Sequence, residues 1–200
     1  MTKTWYFLRH GKPVTTCILT GSKTDVAVSE LGLAAMESAL PKTVQFDACI
    51  SSPMHRCLGF AKKQSRQSSL PLVIAKQLQE MDFGDWDGRT YEWLWESTKN
   101  PSIGEFWQAP WQHTPPNGES LCAFRSRVRQ WWEAELSTRH TTHNLVVTHG
   151  GVIKQILAEV LNLPLDSLSS INSLDVGYAT LVKIEVYFDE AHKAWPKVVF

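Results

Sequence analysis

Arg9-His10-Gly11 closes the apolar run Thr4-Trp5-Tyr6-Phe7-Leu8. The run reads as a buried strand, and the glycine after it lets the backbone come close to a ligand. A guanidinium and an imidazole would then sit at the carboxyl end of a strand, where open α/β sheets hold their ligands. An imidazole nitrogen can attack phosphorus, and a guanidinium fork can hold phosphoryl oxygens. Taken alone, the tripeptide fits a strand end with a surface Arg-His pair equally well.

Three further segments bear on the choice. Ser51-Ser52-Pro53-Met54-His55-Arg56 follows the apolar run Ala48-Cys49-Ile50. Ser52 or Pro53 suits a helix start, which puts Arg56 in the first turn, near the free N–H groups of the helix. Thr148-His149-Gly150-Gly151 follows Leu145-Val146-Val147 and precedes a helically spaced run, Val152 to Leu157. That is a second histidine at a strand-to-helix junction. Leu78 to Gly88 is a glycine-punctuated loop that offers Glu80, with Asp82 as a rival acid two residues on. Local chemistry does not choose between those two carboxylates.

In order and spacing these segments resemble the histidine phosphatase superfamily, the phosphoglycerate-mutase-like clan. The resemblance rests on Arg9 to Gly11, the Ser-Ser-Pro-x-x-Arg segment ending at Arg56, the Glu-x-x-x-Gly-x-Trp-x-Gly motif from Glu80, and His149-Gly150-Gly151. Lys12-Pro13, Ser29 to Gly32, Arg56-Cys57 and Pro116 to Ser120 are most similar to the branch of small bacterial α-ribazole-5′-phosphate phosphatases of cobalamin biosynthesis. The resemblance implies a metal-independent phosphomonoesterase that works through a phosphohistidine and needs no cofactor. It implies His10 as nucleophile, Glu80 as proton donor, and Arg9, Arg56 and His149 around the phosphoryl group. Gly150, Thr16 and Gly21 are the further substrate-binding candidates. Thr16 stands where many members carry Asn, and Phe60 where a threonine is common, so the cradle differs in detail.

The charge and proton needs of the reaction agree with those roles. Arg9 and Arg56 can each give paired hydrogen bonds to a dianionic phosphate, and His149, if protonated, adds a third cation. His10 should be neutral, its second ring nitrogen tied to a backbone carbonyl. The leaving alkoxide needs a proton, and a bound dianion beside Glu80 favours the protonated carboxyl. Two other readings stay open. A mutase would need a bisphosphate to prime it and further basic residues, of which no cluster is evident. A non-catalytic phospho-ligand module would normally have lost one of the five polar residues, and all are present.

Two hundred residues suit one catalytic domain, 1–200, with enough apolar content for a core. Twenty basic side chains balance twenty acidic ones. Bulk charge therefore gives no footing to a nucleic-acid or membrane partner, and a small-molecule phosphate monoester is the expected one. Cys17, Cys49, Cys57 and Cys122 show no metal or disulfide spacing, and no secretory leader or membrane span is read, so a reducing cytoplasm is expected. His55 reads as a helix-surface residue, and Lys12 either extends the cationic rim of the site or is simply solvated. Ser29 and Ser120 read as helix N-caps, with Glu119 favouring the positive end of the second helix.

Strands are expected at 4–8, 48–51, 72–75, 144–148 and 178–188, with an edge strand at 195–200. Helices are expected at 29–39, 53–67, 91–99, 119–138, 152–161 and 165–169. Such alternation predicts an α/β fold with a mainly parallel sheet flanked by helices on both faces. Five of the nine tryptophans, Trp86, Trp93, Trp95, Trp107 and Trp111, fall in a proline-broken stretch. It reads as an inserted flap near 85–115, either an aromatic mini-core or a cover that stacks on a flat substrate ring.

Overall fold

The computed structural model describes residues 1–138, 141–164 and 174–199. In chain order these form β1 (Thr2–Arg9), α1 (Glu30–Ala39), β2 (Ala48–Ser51), α2 (His55–Gln67), β3 (Leu72–Ile74), α3 (Tyr91–Ser97) and α4 (Ile103–Gln108). Then follow α5 (Leu121–Thr138), β4 (His143–Thr148), α6 (Gly150–Val160), β5 (Leu181–Phe188) and β6 (Ala194–Val199). One sheet runs in the order β3-β2-β4-β1-β5-β6. Its first four strands are parallel, and β5 and β6 pair antiparallel at the far edge. This is the mainly parallel sheet that the alternation predicts.

Successive side chains on a strand point to opposite faces, and β1 uses both. Trp5 and Phe7 pack with Trp131, Trp132, Ile153 and Ile156 from α5 and α6. Tyr6 and Leu8 pack with Met36 of α1 and with Cys57, Phe60 and Ala61 of α2. Helices therefore cover both faces, and β1 is pinned between them. The pairing register then places the chemistry. Arg9 is level with Thr148, and Ser51 with Val147. His10, His149 and Ser52 each follow the end of a neighbouring strand. The backbone seals the junction, with His10 N–H on Thr148 O (2.9 Å) and Ser52 N–H on Val147 O (3.0 Å).

A close backbone crossing fixes the exit from β1. A Cβ on Gly11 would lie 2.2 Å from the carbonyl oxygen of Gly32. Ser29 caps α1, accepting from Gly32 N–H (3.1 Å) and donating to Lys12 O (2.9 Å). Ser120 accepts from Ala123 N–H (3.1 Å) at the head of α5.

Some boundaries differ from expectation. α2 begins at His55, not at Ser52 or Pro53, and Met54 precedes it without a side-chain cap. Asp25 takes that place, accepting from His55 N–H (2.8 Å). β5 starts at Leu181, because Ala179 adopts a left-handed φ of 56° that breaks the extended run from Tyr178. α4 was not expected; a Ser102–Glu105 capping box starts it. The helix expected at 165–169 lies outside the described residues. Among the described residues no helix is long and apolar enough to cross a membrane.

Candidate active site

His10 is buried, 7% exposed, at the floor of a cavity of about 290 Å³. Its Nδ1–H donates to its neighbour's carbonyl, Gly11 O, at 2.9 Å. That bond sets the tautomer and leaves the Nε2 lone pair free. Burial pushes the imidazole down to about 3, with Arg56 and Arg9 adding to it against the raising effect of the Gly11 bond. His10 is thus a neutral imidazole with one available nitrogen, as a nucleophile requires.

Arg9 enters the cavity from the end of β1. Its Nη1 donates to Val176 O (2.6 Å), and its guanidinium lies over the Tyr178 ring, 4.0 Å from the centroid. Its Nε–H is buried and has no partner among the described residues. A buried charged donor without an acceptor is costly, and a phosphoryl oxygen would satisfy it. Gly150 makes room for this side chain: a Cβ there would stand 3.2 Å from Arg9 Nε.

Arg56 and His149 form a layer behind His10, both essentially without solvent exposure. The His10 and His149 rings are 5.3 Å apart in an edge arrangement. Arg56 donates from Nε to His149 Nδ1 (3.2 Å), from Nη1 to Thr24 O (2.8 Å) and from Nη2 to Gly21 O (2.7 Å). Since Nδ1 accepts, the neutral ring carries its proton on Nε2 and donates to Ser52 Oγ, 2.7 Å away. Burial first, then the charge of Arg56, holds the His149 imidazole well below its ordinary value. The third cation anticipated at His149 is therefore absent from this arrangement: the ring is neutral and orients Arg56.

Glu80 and Asp82 separate in space. Glu80 lines the cavity, and its carboxylate sits on the N-terminus of α6, accepting from Gly151 N–H (3.0 Å) and from Met81 N–H (3.0 Å). Asp82 turns into its own loop, accepting from Gly84 N–H (2.8 Å) and pairing with Lys23 (3.1 Å). Gly151 must be glycine for Glu80 to rest there, because a Cβ would come 2.2 Å from Oε1.

The remaining candidates divide. Gly150 lines the cavity. Thr16 is exposed and does not. Gly21 gives its carbonyl to Arg56 and its N–H to Asp87 Oδ1 (3.0 Å), so it positions the cation without presenting a donor to a ligand. His55 and Lys12 are exposed. Tyr178, Lys154, Ser52 and Asp25 were not singled out for the site. Lys154 could have been, since it follows Gly150 by one helical turn and so faces the same way. Burial lowers its ammonium, Arg9 adds to the effect, and Asp175 and Glu80 oppose it. Much of the lining is aromatic, with Phe83, Tyr91, Phe106, Trp107 and Trp111 on the cavity. Trp93 is not on it; the Arg89 guanidinium covers its ring at 4.9 Å.

A neutral histidine flanked by arginines, a second histidine and a carboxylate at the ends of parallel strands is a phosphoryl-transfer arrangement. The family described as the histidine phosphatase superfamily (branch 1) matches residues 5–195. This chain belongs to the histidine phosphatase superfamily. Adenosylcobalamin/α-ribazole phosphatase of Escherichia coli is 30% identical over 170 residues, covering 82% of this chain and 81% of that protein. The α-ribazole phosphatase structure from Shigella flexneri superposes with a TM-score of 0.79 at 24% identity, covering 98% and 95% of the two chains. Mycobacterial glucosyl-3-phosphoglycerate phosphatase has the same fold, with a TM-score of 0.80 at 22% identity over 99% and 97%.

Proposed function

We propose that this histidine phosphatase is a metal-independent phosphomonoesterase whose covalent intermediate forms on His10 Nε2. The observation that carries the reading is the His10 Nδ1–H bond to Gly11, which leaves the other ring nitrogen free inside the cavity. His10 Nε2 attacks phosphorus, the P–O bond to the alcohol breaks, and Glu80 gives its proton to the departing oxygen. Water then attacks the phosphohistidine and Glu80 takes its proton; the P–Nε2 bond breaks, the lone pair returns to His10, and inorganic phosphate leaves. Arg9 meets the phosphoryl oxygens from the cavity lining, and the buried Arg56 adds its positive charge from behind His10, the work a metal does in other phosphatases.

The substrate is a small monoester with a flat aromatic part. α-Ribazole 5′-phosphate fits that description, and the aromatic wall of the cavity and the E. coli relative support it. Nucleic acid and membranes are not partners on this reading, in line with the balanced charge. The four unpaired cysteines, two of them buried, suit a cytoplasmic setting.

Hydrolysis of p-nitrophenyl phosphate in EDTA, wild type against His10→Ala, tests it. Undiminished wild-type turnover and an inactive variant are expected. Full activity in the variant removes the nucleophile, and loss of wild-type activity in EDTA points to a metal.

A further inference from the structure

Arg127, on α5, does not line the cavity, yet its guanidinium encloses the backbone that carries Glu80. Nε and Nη2 grip Glu119 at 2.7 and 2.9 Å as a two-pronged pair. Nη1 donates to Gln77 O (2.7 Å) and Gln79 O (2.9 Å), and Nη2 to Glu80 O (3.0 Å). A guanidinium has five N–H donors, and these five bonds use all of them. The other side of the clamp reaches the loop too. Glu119 Oε2 accepts from Asp82 N–H (3.3 Å), and Glu119 N–H donates to Asp82 O (2.8 Å). Gly118 lies so close that a Cβ there would come 2.7 Å from Asp82 O.

We infer that Arg127 and Glu119 are positioning residues for the general acid: they fix the backbone on both sides of Glu80 so that its carboxyl reaches the departing oxygen. Gln77 lies in a single 3₁₀ turn, Lys76–Leu78, with Gln79 and Glu80 in the loop after it, and one planar fork supplies donors to all three carbonyls. A general acid must be held close to its productive geometry, and a loop secures that only when its own backbone is tied down. Pro116-Asn117-Gly118-Glu119-Ser120 thereby has a task beyond capping α5: it delivers Glu119 to Arg127. Lysine keeps the charge but has no planar fork, so it cannot reproduce the five bonds.

The inference rests on Glu80 being the proton donor of the proposed reaction. Good leaving groups depart without a proton and alkoxides do not, which separates an acid-positioning role from a merely structural one. Steady-state rates would be compared for 2,4-dinitrophenyl, p-nitrophenyl and glycerol-type alkyl phosphates in wild type, Glu80→Gln, Arg127→Lys, Glu119→Gln and the double variant Glu80→Gln/Arg127→Lys. Arg127→Lys should lower kcat/KM, which reports the steps up to formation of the phosphoenzyme, by about 100-fold for the alkyl ester and by less than about fivefold for the dinitrophenyl ester. In the Glu80→Gln background the same change should add less than about threefold on the alkyl ester. Glu119→Gln, which keeps the side-chain shape, should show the same selectivity, weaker. Equal losses of kcat/KM on all three esters in a folded Arg127→Lys, or full additivity with Glu80→Gln in kcat/KM, would overturn the inference. If Glu80→Gln itself shows no dependence on leaving group, the assignment of the acid is what fails.

Discussion

His10 and His149 are both held neutral by burial, and that has a measurable consequence. In the unfolded chain each would titrate near 6.5. Between that value and the lowered folded one the unfolded state binds more protons, so stability falls as pH falls through about 6.5 toward 3. The slope reaches about 1.4 kcal/mol per pH unit for each ring. Urea unfolding at pH 7, 6 and 5 should show progressively lower stability, and His149→Asn should flatten the slope. An unchanged slope in that variant would contradict the neutral assignment. The charge state of His149 was not readable from sequence. Thr148-His149-Gly150 names the ring, but only the packing of Arg56, Ser52 and Cys57 around it withdraws it from water. The tie of His10 to a backbone carbonyl was readable, because a neutral attacking imidazole needs its second nitrogen held by an acceptor.

At the scale of elements, two glycines do separable work at the head of α6 and at the crossing of β1 with α1. Gly151→Ala places a methyl where Glu80 Oε1 now lies. The far end of that flexible side chain can move, so folding should be little affected while the acid is displaced. A fall in kcat of about 100-fold on an alkyl phosphate, with the melting temperature within about 2 °C of wild type, is expected. Gly32→Ala meets backbone instead, 2.5 Å from Lys12 O. Backbone cannot swing aside, so a loss of about 1–3 kcal/mol is expected, read as a lowered thermal midpoint. The strands of the parallel half were legible to within about two residues, since each is a short apolar run. α4 was not, because four prolines break its surroundings and it spans only six residues. Its capping box at Ser102 and Glu105 was the available signal.

Across the whole molecule, the cavity draws its walls from segments far apart in sequence. β1 supplies Arg9 and the residue after its end supplies His10, α6 supplies Gly150, Gly151 and Lys154, and the stretch from Phe83 to Trp111 supplies the rings. The tryptophan-rich stretch was legible as unusual, but which of its rings face the cavity was not. Trp107 and Trp111 do; Trp93 and Trp95 do not. Trp107→Ala should therefore raise KM for an aromatic monoester by about tenfold and leave a small phosphosugar nearly unchanged, while Trp93→Ala alters neither. Equal effects of Trp107→Ala on both substrates would remove stacking as the source of specificity.

The central claim is covalent chemistry at one nitrogen. Rapid mixing with a monoester, alkaline quench to preserve phosphoramidate bonds, and peptide mass spectrometry would locate the phosphoryl group. One phosphoryl group is expected on His10 of the wild type, formed within the first turnover and missing from His10→Asn. Turnover with no covalent phosphoenzyme, or a phosphoryl group on any other side chain, would contradict it.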